Sequence, residues 1–256
     1  MNWNLVAQNL SIKGTENVFV DLGAQVGTYS EFFWVNYNTV MQKLISVEPH
    51  YENTKKIRER IARYNAQEKW TVDECAVSIS DGEQDFAYLR TDMGEPLGSF
   101  HLEENFKRKE YPVQEEKYYQ DKMRGLEHIN VKLKTMRNIC EKPNIIKIDI
   151  EGYEYPILPE LLRMPSVYAL IIEFGQAPYP ARKNNGYLLE DYLNWLYYKG
   201  FTDMMGQTDD KDGEHFVFPT IPRTLRWEDL PSFPYDKSFH VLAQKHDGLR
   251  MMRQRS

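Results

Sequence analysis

"NIIKIDIEGYEYPIL", residues 144–158, has the spacing of a β-strand and the side chains of an active site. Isoleucines at 146, 148 and 150 alternate with Lys147, Asp149 and Glu151. Alternate side chains of an extended chain point to opposite faces, so one face is apolar and the other carries an amine and two carboxylates. Strands of a parallel sheet covered on both sides run as unbroken apolar stretches. Polar groups gather at their carboxyl ends, where open α/β sheets bind ligands. The stretch therefore predicts a strand that opens on a functional cleft, with Lys147, Asp149 and Glu151 approaching or lining it and Glu154 just past Gly152. The competing reading is a structural lysine–carboxylate pair, whose net contribution to stability is uncertain when buried.

The surrounding sequence repeats a strand–helix rhythm. "NVFVDLG" (17–23) is a short apolar strand running into glycine, followed by the helix "TYSEFFWVNY". "KLISVEP" (43–49) is a second strand stopped by Pro49. In "YENTKKIRERIARY", Ile57, Ile61 and Tyr64 fall at i, i+4 and i+7, which makes an amphipathic helix with a basic outer face. "WTVDECAVSIS" and "DGEQDFAYLR" supply further strand regions. After residues 144–150 come a helix over "YEYPILPELLRM", the strand "VYALIIEF" and the helix "YLLEDYLNWLYYKG", ended by Gly200. "GFTDMM" and "EHFVFP" read as two closing strands. Alternation of this kind predicts an α/β fold, a mostly parallel sheet with helices on both faces.

Two segments break the rhythm. Residues 91–130, with "FKRKEYPVQEEKYYQDKMRG", are charged and tyrosine-rich. They read either as an insertion over the sheet's carboxyl edge, a lid or substrate-binding element, or as a solvated charged helix. Beyond residue 219 the chain turns proline-rich and then basic, in "KHDGLRMMRQRS". The expected division is one domain over 1–218, interrupted at about 91–130, and a C-terminal arm with a basic tail over 219–256.

The totals narrow the function. A formal charge of −6 argues against a nucleic-acid binder, since such domains carry a basic patch. Only two cysteines occur, Cys75 and Cys140, far apart and outside any CxxC pattern. That fits a reducing compartment and neither a disulfide framework nor a zinc site. The opening "MNWNLVAQNLSIKG" lacks the charge-then-apolar plan of a signal peptide, and no stretch reaches the roughly 18 apolar residues of a membrane span. A soluble, cytoplasmic protein is expected.

"DLGAQVG" places Asp21 at a strand end and Gly23 and Gly27 in the turn that follows. Glycines there permit unusual dihedrals and close approach of a ligand. GxGxxG is absent, because Gln25 stands two beyond Gly23, and no GxxxxGK[ST] loop occurs. A pyrophosphate would avoid the Asp21 carboxylate, whereas a cofactor with an ammonium and a sulfonium, such as S-adenosylmethionine, would welcome it. Glu48 closes the second strand about 20 residues past the first loop, where an acid accepts hydrogen bonds from ribose hydroxyls or stands near a helix start. Ala76 is either a small residue beside an adenine edge or an ordinary core alanine.

Taken in order, "VFVDLGAQVGTYS", "ISVEP", "AVSISDGE" and "IIKIDIEGYEYPIL" resemble the FkbM-type S-adenosylmethionine-dependent methyltransferases over about residues 17–175. The most specific piece is Lys147-x-Asp149-x-Glu151-Gly152-x-Glu154. The resemblance implies a Rossmann-like class I methyltransferase fold, a seven-stranded sheet with one antiparallel strand. It also implies methyl transfer to a hydroxyl of a sugar, glycan or natural-product acceptor. Asp21, Gly23, Gly27, Glu48 and Ala76 would form the cofactor site, and Asp149 would face both cofactor and acceptor. Two departures stand out: Gln25 replaces the family's loop asparagine, and Glu173 is followed by "FGQAP" with no histidine.

For O-methylation, Asp149 and Glu151 are candidates for general base and acceptor-orienting group. Lys147 would hold the carboxylates or ease the forming alkoxide, and Glu173 would complete the cluster. A divalent cation such as magnesium held by these acids is a further expectation. His101 or His128 would serve as base if the insertion folds over the cleft. The alternatives are transfer to nitrogen, carboxylate or nucleic acid, a nicotinamide-dependent oxidoreductase, and a catalytically inactive binding module or partner subunit.

Overall fold

The computed structural model describes residues 9–90, 94, 96–99, 125–174, 195–208, 215–217 and 239–245. Its main sheet has eight strands: β1 (Asn17–Leu22), β2 (Met41–Val47), β3 (Trp70–Asp73), β8 (Ile145–Ile148), β9 (Ala169–Phe174), β10 (Phe201–Thr208), β11 (His215–Val217) and β12 (Phe239–Lys245). Across the sheet the order is β11-β10-β12-β9-β8-β1-β2-β3. The strands from β3 to β9 are parallel, while β12 runs antiparallel to both β9 and β10, and β11 antiparallel to β10. One reversed strand inserted near the end of a parallel set is the pattern expected of a class I methyltransferase sheet. The count differs from seven because β11 adds an eighth, reversed strand at the edge.

β12 also changes the reading of the chain's end. "EHFVFP" forms only that edge strand, and the reversed strand inside the sheet comes from beyond residue 219. Val241, Leu242, Ala243 and Gln244 are buried there in succession, so this part of the expected arm is a piece of the sheet.

Alternation of side chains divides the core between the two faces. Val20, Leu22, Ile45, Val47, Ile146 and Ile148 pack with Tyr155, Ile157, Leu158 and Leu161 of α4 (Glu154–Leu161). Phe19, Leu44 and Ile145 lie on the other face, with Phe33 of α1 (Thr28–Tyr37) and Ile57 and Ile61 of α2 (Tyr51–Arg63). A short α3 (Met136–Ile139) precedes β8. Gly27 starts α1 in the left-handed region, φ 83°.

A second, four-stranded sheet of order β4-β7-β5-β6 comprises β4 (Ala76–Val77), β5 (Gly82–Arg90), β6 (Pro96–Ser99) and β7 (Glu127–Lys134). The described ends of the expected insertion, 96–99 and 127–130, are therefore strands. Most of its other residues, including His101, lie outside the described ones, as does most of the expected helix over 187–200. His128 pairs with Asp85 on an exposed surface (Nδ1–Oδ2 2.7 Å).

Candidate active site

The carboxyl ends of β1, β2, β8 and β9 and the inner side of the small sheet enclose an open cleft of about 970 Å³, its mouth included. One end is acidic. Asp149, Glu151 and Glu173 line it, with Tyr29 and Tyr153. The other end is largely apolar, walled by Val47, Pro49, Cys75, Ala76, Val77, Phe86 and Leu97. Gly23, Gln25 and Glu48 join the two ends.

The first turn is shaped by a close crossing of backbones. Gly23 has φ 72°, and a Cβ there would lie 1.7 Å from the Asp149 carbonyl oxygen. Only glycine lets the loop after β1 lie against the end of β8. Gln25 adopts a left-handed backbone, φ 49°, and its N–H donates to Glu48 Oε2 (2.9 Å). Glu48 Oε1 accepts from the His50 N–H (3.1 Å) and from Asn53 Nδ2 (3.1 Å). Burial still dominates and pushes the Glu48 carboxyl up to about 7.

Lys147 lies behind the cleft wall. Its ammonium donates to Asp149 Oδ2 (3.0 Å) and the Gly23 carbonyl (3.2 Å), with Asp21 Oδ1 at 3.5 Å and the Tyr29 ring centroid at 4.6 Å. Burial alone would lower its pKa, but the Asp149 and Asp21 carboxylates outweigh this and raise it. Asp21 stands beside Lys147 and Ser46 in the strand register. Its Oδ2 accepts from Ser30 Oγ (2.6 Å); that hydroxyl also bonds Ser46 Oγ (2.6 Å), which accepts from Trp70 Nε1 (2.8 Å). A buried polar row thus crosses three strands beneath α1.

β8 ends at Ile148, so the chain leaves the alternating geometry just before the two acids. Glu151 has φ 54°, a costly conformation for a residue with a side chain. Its carboxyl is pushed up to about 7 by the protein around it and then by Asp149. Glu154 turns inward: Oε1 accepts the Ile150 N–H and Oε2 the Gly152 N–H, both at 2.9 Å. It is buried, its carboxyl is pushed up to about 8, and it fixes the bend that carries Glu151.

Of the residues singled out in the sequence, Asp149, Glu151, Glu173, Gly23, Gln25, Glu48 and Ala76 line the cleft, whereas Lys147, Asp21 and Gly27 do not. Asp21 meets the loop through Lys147 and Ser30. Sequence reasoning missed Ser30, Ser46 and Trp70, ordinary residues whose meeting depends on register, and it missed the small-sheet wall. Glu173 has no histidine after it, but its register partner on β12 is His240. Among the described residues no group of three or more His, Cys, Asp or Glu side chains could hold a metal ion. No helix among them is long and apolar enough to cross a membrane.

Similarities to known proteins were found at the level of family and of solved structures. No curated protein matches. A Methyltransferase FkbM from Methylobacillus flagellatus KT aligns with TM-score 0.49 and 14% identity, covering 91% of this chain and 45% of that one. This chain thus spans under half of that relative's length. A precorrin-6y C5,15-methyltransferase from Geobacter metallireducens GS-15 gives TM-score 0.45 and 9% identity, covering 95% and 87%. Streptococcus pneumoniae Sp1610, in complex with S-adenosyl-L-methionine, gives TM-score 0.43 and 12% identity, covering 95% and 72%. The Methyltransferase FkbM domain model matches residues 21–202, more than two thirds of the sequence. On that match, the chain belongs to the FkbM methyltransferase family.

Proposed function

We propose that this protein is an S-adenosylmethionine-dependent O-methyltransferase acting on a hydroxyl of a sugar, glycan or natural-product acceptor. The observation that carries the reading is the meeting of Asp149 and Glu151 with Glu48 and the glycine loop in one cleft. When bound, S-adenosylmethionine supplies an electrophilic methyl group on a sulfonium. The residues present fit that cofactor. The crossing at Gly23 keeps that position free of a side chain, and Glu48 uses three of its roughly four acceptor directions on protein donors. One direction on Oε2 remains for a ribose hydroxyl. Gln25 and Gly23 flank the methionine end, and Ala76 leaves room for the base.

At the acidic end, a hydroxyl becomes a competent nucleophile only as its proton leaves. Glu151, with a carboxyl near 7, takes that proton. Asp149, held by Lys147, orients the acceptor oxygen in line with the methyl group, and Glu173 borders the same space. The described lining includes four carboxylates and neither lysine nor arginine, which favours a neutral small molecule over a polyanionic acceptor.

Calorimetry with S-adenosylhomocysteine, followed by a methyl-transfer screen over sugars and other hydroxyl compounds, tests the reading. Saturable binding and transfer to a hydroxyl, lost in Asp149→Asn with the fold retained, are expected. Transfer only to amines or carboxylates would reassign the acceptor. Binding without any transfer would make the protein a binding module, and no binding would remove the cofactor.

A further inference from the structure

The buried row beneath α1 takes no part in the steps above, although Asp21, Ser30 and Ser46 are 0% exposed and Trp70 1%. A polar network at that depth is costly unless its members are paired. The directions of its hydrogen bonds are determined. The Trp70 indole N–H can only donate, and it donates to Ser46 Oγ (2.8 Å). At the other end a carboxylate can only accept, and Asp21 Oδ2 takes the one proton of Ser30 Oγ (2.6 Å). The 2.6 Å bond between the serines must therefore run from Ser46 to Ser30. All three donors point toward Asp21, and hydrogen bonds aligned head to tail polarise and strengthen one another.

Beyond Asp21 the row continues into Lys147, its register partner on β8. An ammonium has three protons to place. Lys147 gives one to Asp149 Oδ2 (3.0 Å) and one to the Gly23 carbonyl (3.2 Å), while Asp21 Oδ1 is 3.5 Å away and has no hydrogen-bond partner. The cation thus stands between two carboxylates and bonds only the one that lines the cleft. Ser30 accounts for the preference, because it already supplies Asp21 with a donor from the helix side. Without that hydroxyl the buried carboxylate would keep no side-chain donor, a costly state, and the Lys147 ammonium is placed to become one.

We propose that Ser30, Ser46 and Trp70 are positioning residues for the reaction: by satisfying Asp21 from behind, they leave Lys147 to Asp149 and so hold the carboxylate that orients the acceptor. The proposal rests on the methyl-transfer reading and extends the working parts of the site across β1 and β2 to β3.

Crystal structures of the whole-chain parent, Ser30→Ala and Trp70→Phe test it, together with kinetics on the hydroxyl acceptor that the methyl-transfer screen identifies. In Ser30→Ala the Lys147 ammonium should move within hydrogen-bond distance of Asp21 and out of reach of Asp149. There kcat should fall about tenfold while KM for S-adenosylmethionine stays within about twofold, because a misaligned acceptor slows the chemical step and not cofactor binding. Trp70→Phe keeps an aromatic ring and removes the far donor, so both readouts should shift the same way by less. Ser30→Thr restores a hydroxyl and should restore both. Should Ser30→Ala fail to fold, Trp70→Phe decides on the same two readouts. A merely structural row would lower the melting temperature and leave the Lys147–Asp149 bond and kcat unchanged. That result, or a parent crystal in which Lys147 bonds Asp21 instead of Asp149, would overturn the proposal. A screen that finds no acceptor at all removes the methyl-transfer reading, and the positioning role with it, even where Lys147 moves as expected.

Discussion

Lys147 holds its charge where water cannot reach it, and the two carboxylates beside it make that tolerable. Replacing it with methionine leaves Asp21 and Asp149 without their cation. Loss of one member of a buried ionic cluster costs about 3–5 kcal/mol, so Lys147→Met should lower stability by that order in urea melts; a change below about 1 kcal/mol would show that Asp21 and Asp149 do not need the pair. Glu48 makes a pH-dependent prediction. Its carboxyl titrates near 7, and the Gln25 and His50 N–H groups and a ribose hydroxyl all favour the ionised form. Affinity for S-adenosylhomocysteine should therefore fall as pH drops below about 7 and level off above it. Glu48→Gln should bind about 1–3 kcal/mol more weakly and lose the slope; a pH-independent parent contradicts this. For Glu154 the sign concerns folding. Its native pKa, about 8, exceeds the ordinary 4.5, so the native state holds an extra proton between those values and stability declines as pH rises through that window. Glu154→Gln should flatten that decline in melts at pH 5 and pH 8.5. At this scale the meeting of Asp149, Glu151 and Glu48 at one cleft was legible, because acids at strand ends have few structural uses. Of the two places expected for Lys147, approaching or lining the cleft, the structure shows the first: it holds Asp149 from behind the wall, and alternation alone cannot say where a strand stops. Ending β8 at Ile148 sends the lysine under the glycine loop and the two acids out of it.

Among the elements, α1 and α2 were readable from glycine punctuation and from the Ile57 and Ile61 spacing. The small sheet was not, since β4 has two residues and β6 four, too few for any period to declare itself. What ties that sheet to the rest is side-chain contact across long sequence separations: Arg90 with Glu52, Lys134 with Asp73, and Asn53 with the Pro96 carbonyl. The Arg90 bond holds the Glu52 carboxyl down at about 2, but the pair is exposed and open to salt screening. Arg90→Ala should leave the melting temperature within a few degrees of the parent and raise amide exchange selectively in β5 and β6. Exchange that rises equally in β1 and β8 would show that the clasp serves the whole fold instead.

For the whole molecule, the strand–helix rhythm was enough to assign the fold class, and the family match over 21–202 agrees with it. The position of the reversed strand was not visible. "FHVLAQK" is a short run behind a proline-rich stretch, and nothing local marks it as interior. Truncation after residue 218 should therefore abolish cooperative unfolding rather than trim an arm; a folded, soluble 1–218 fragment would contradict the interior placement of β12. That placement has a further consequence for biosynthesis. β10 emerges from the ribosome long before the strand that joins it to β9, and the two cannot bond directly without displacing β12 from its register. Until residues 239–245 have been made, a nascent chain presents two unpaired strand edges awaiting the same partner. Such edges are templates for wrong pairing, so the time between synthesis of β9 and arrival of β12 is when this protein most needs a chaperone.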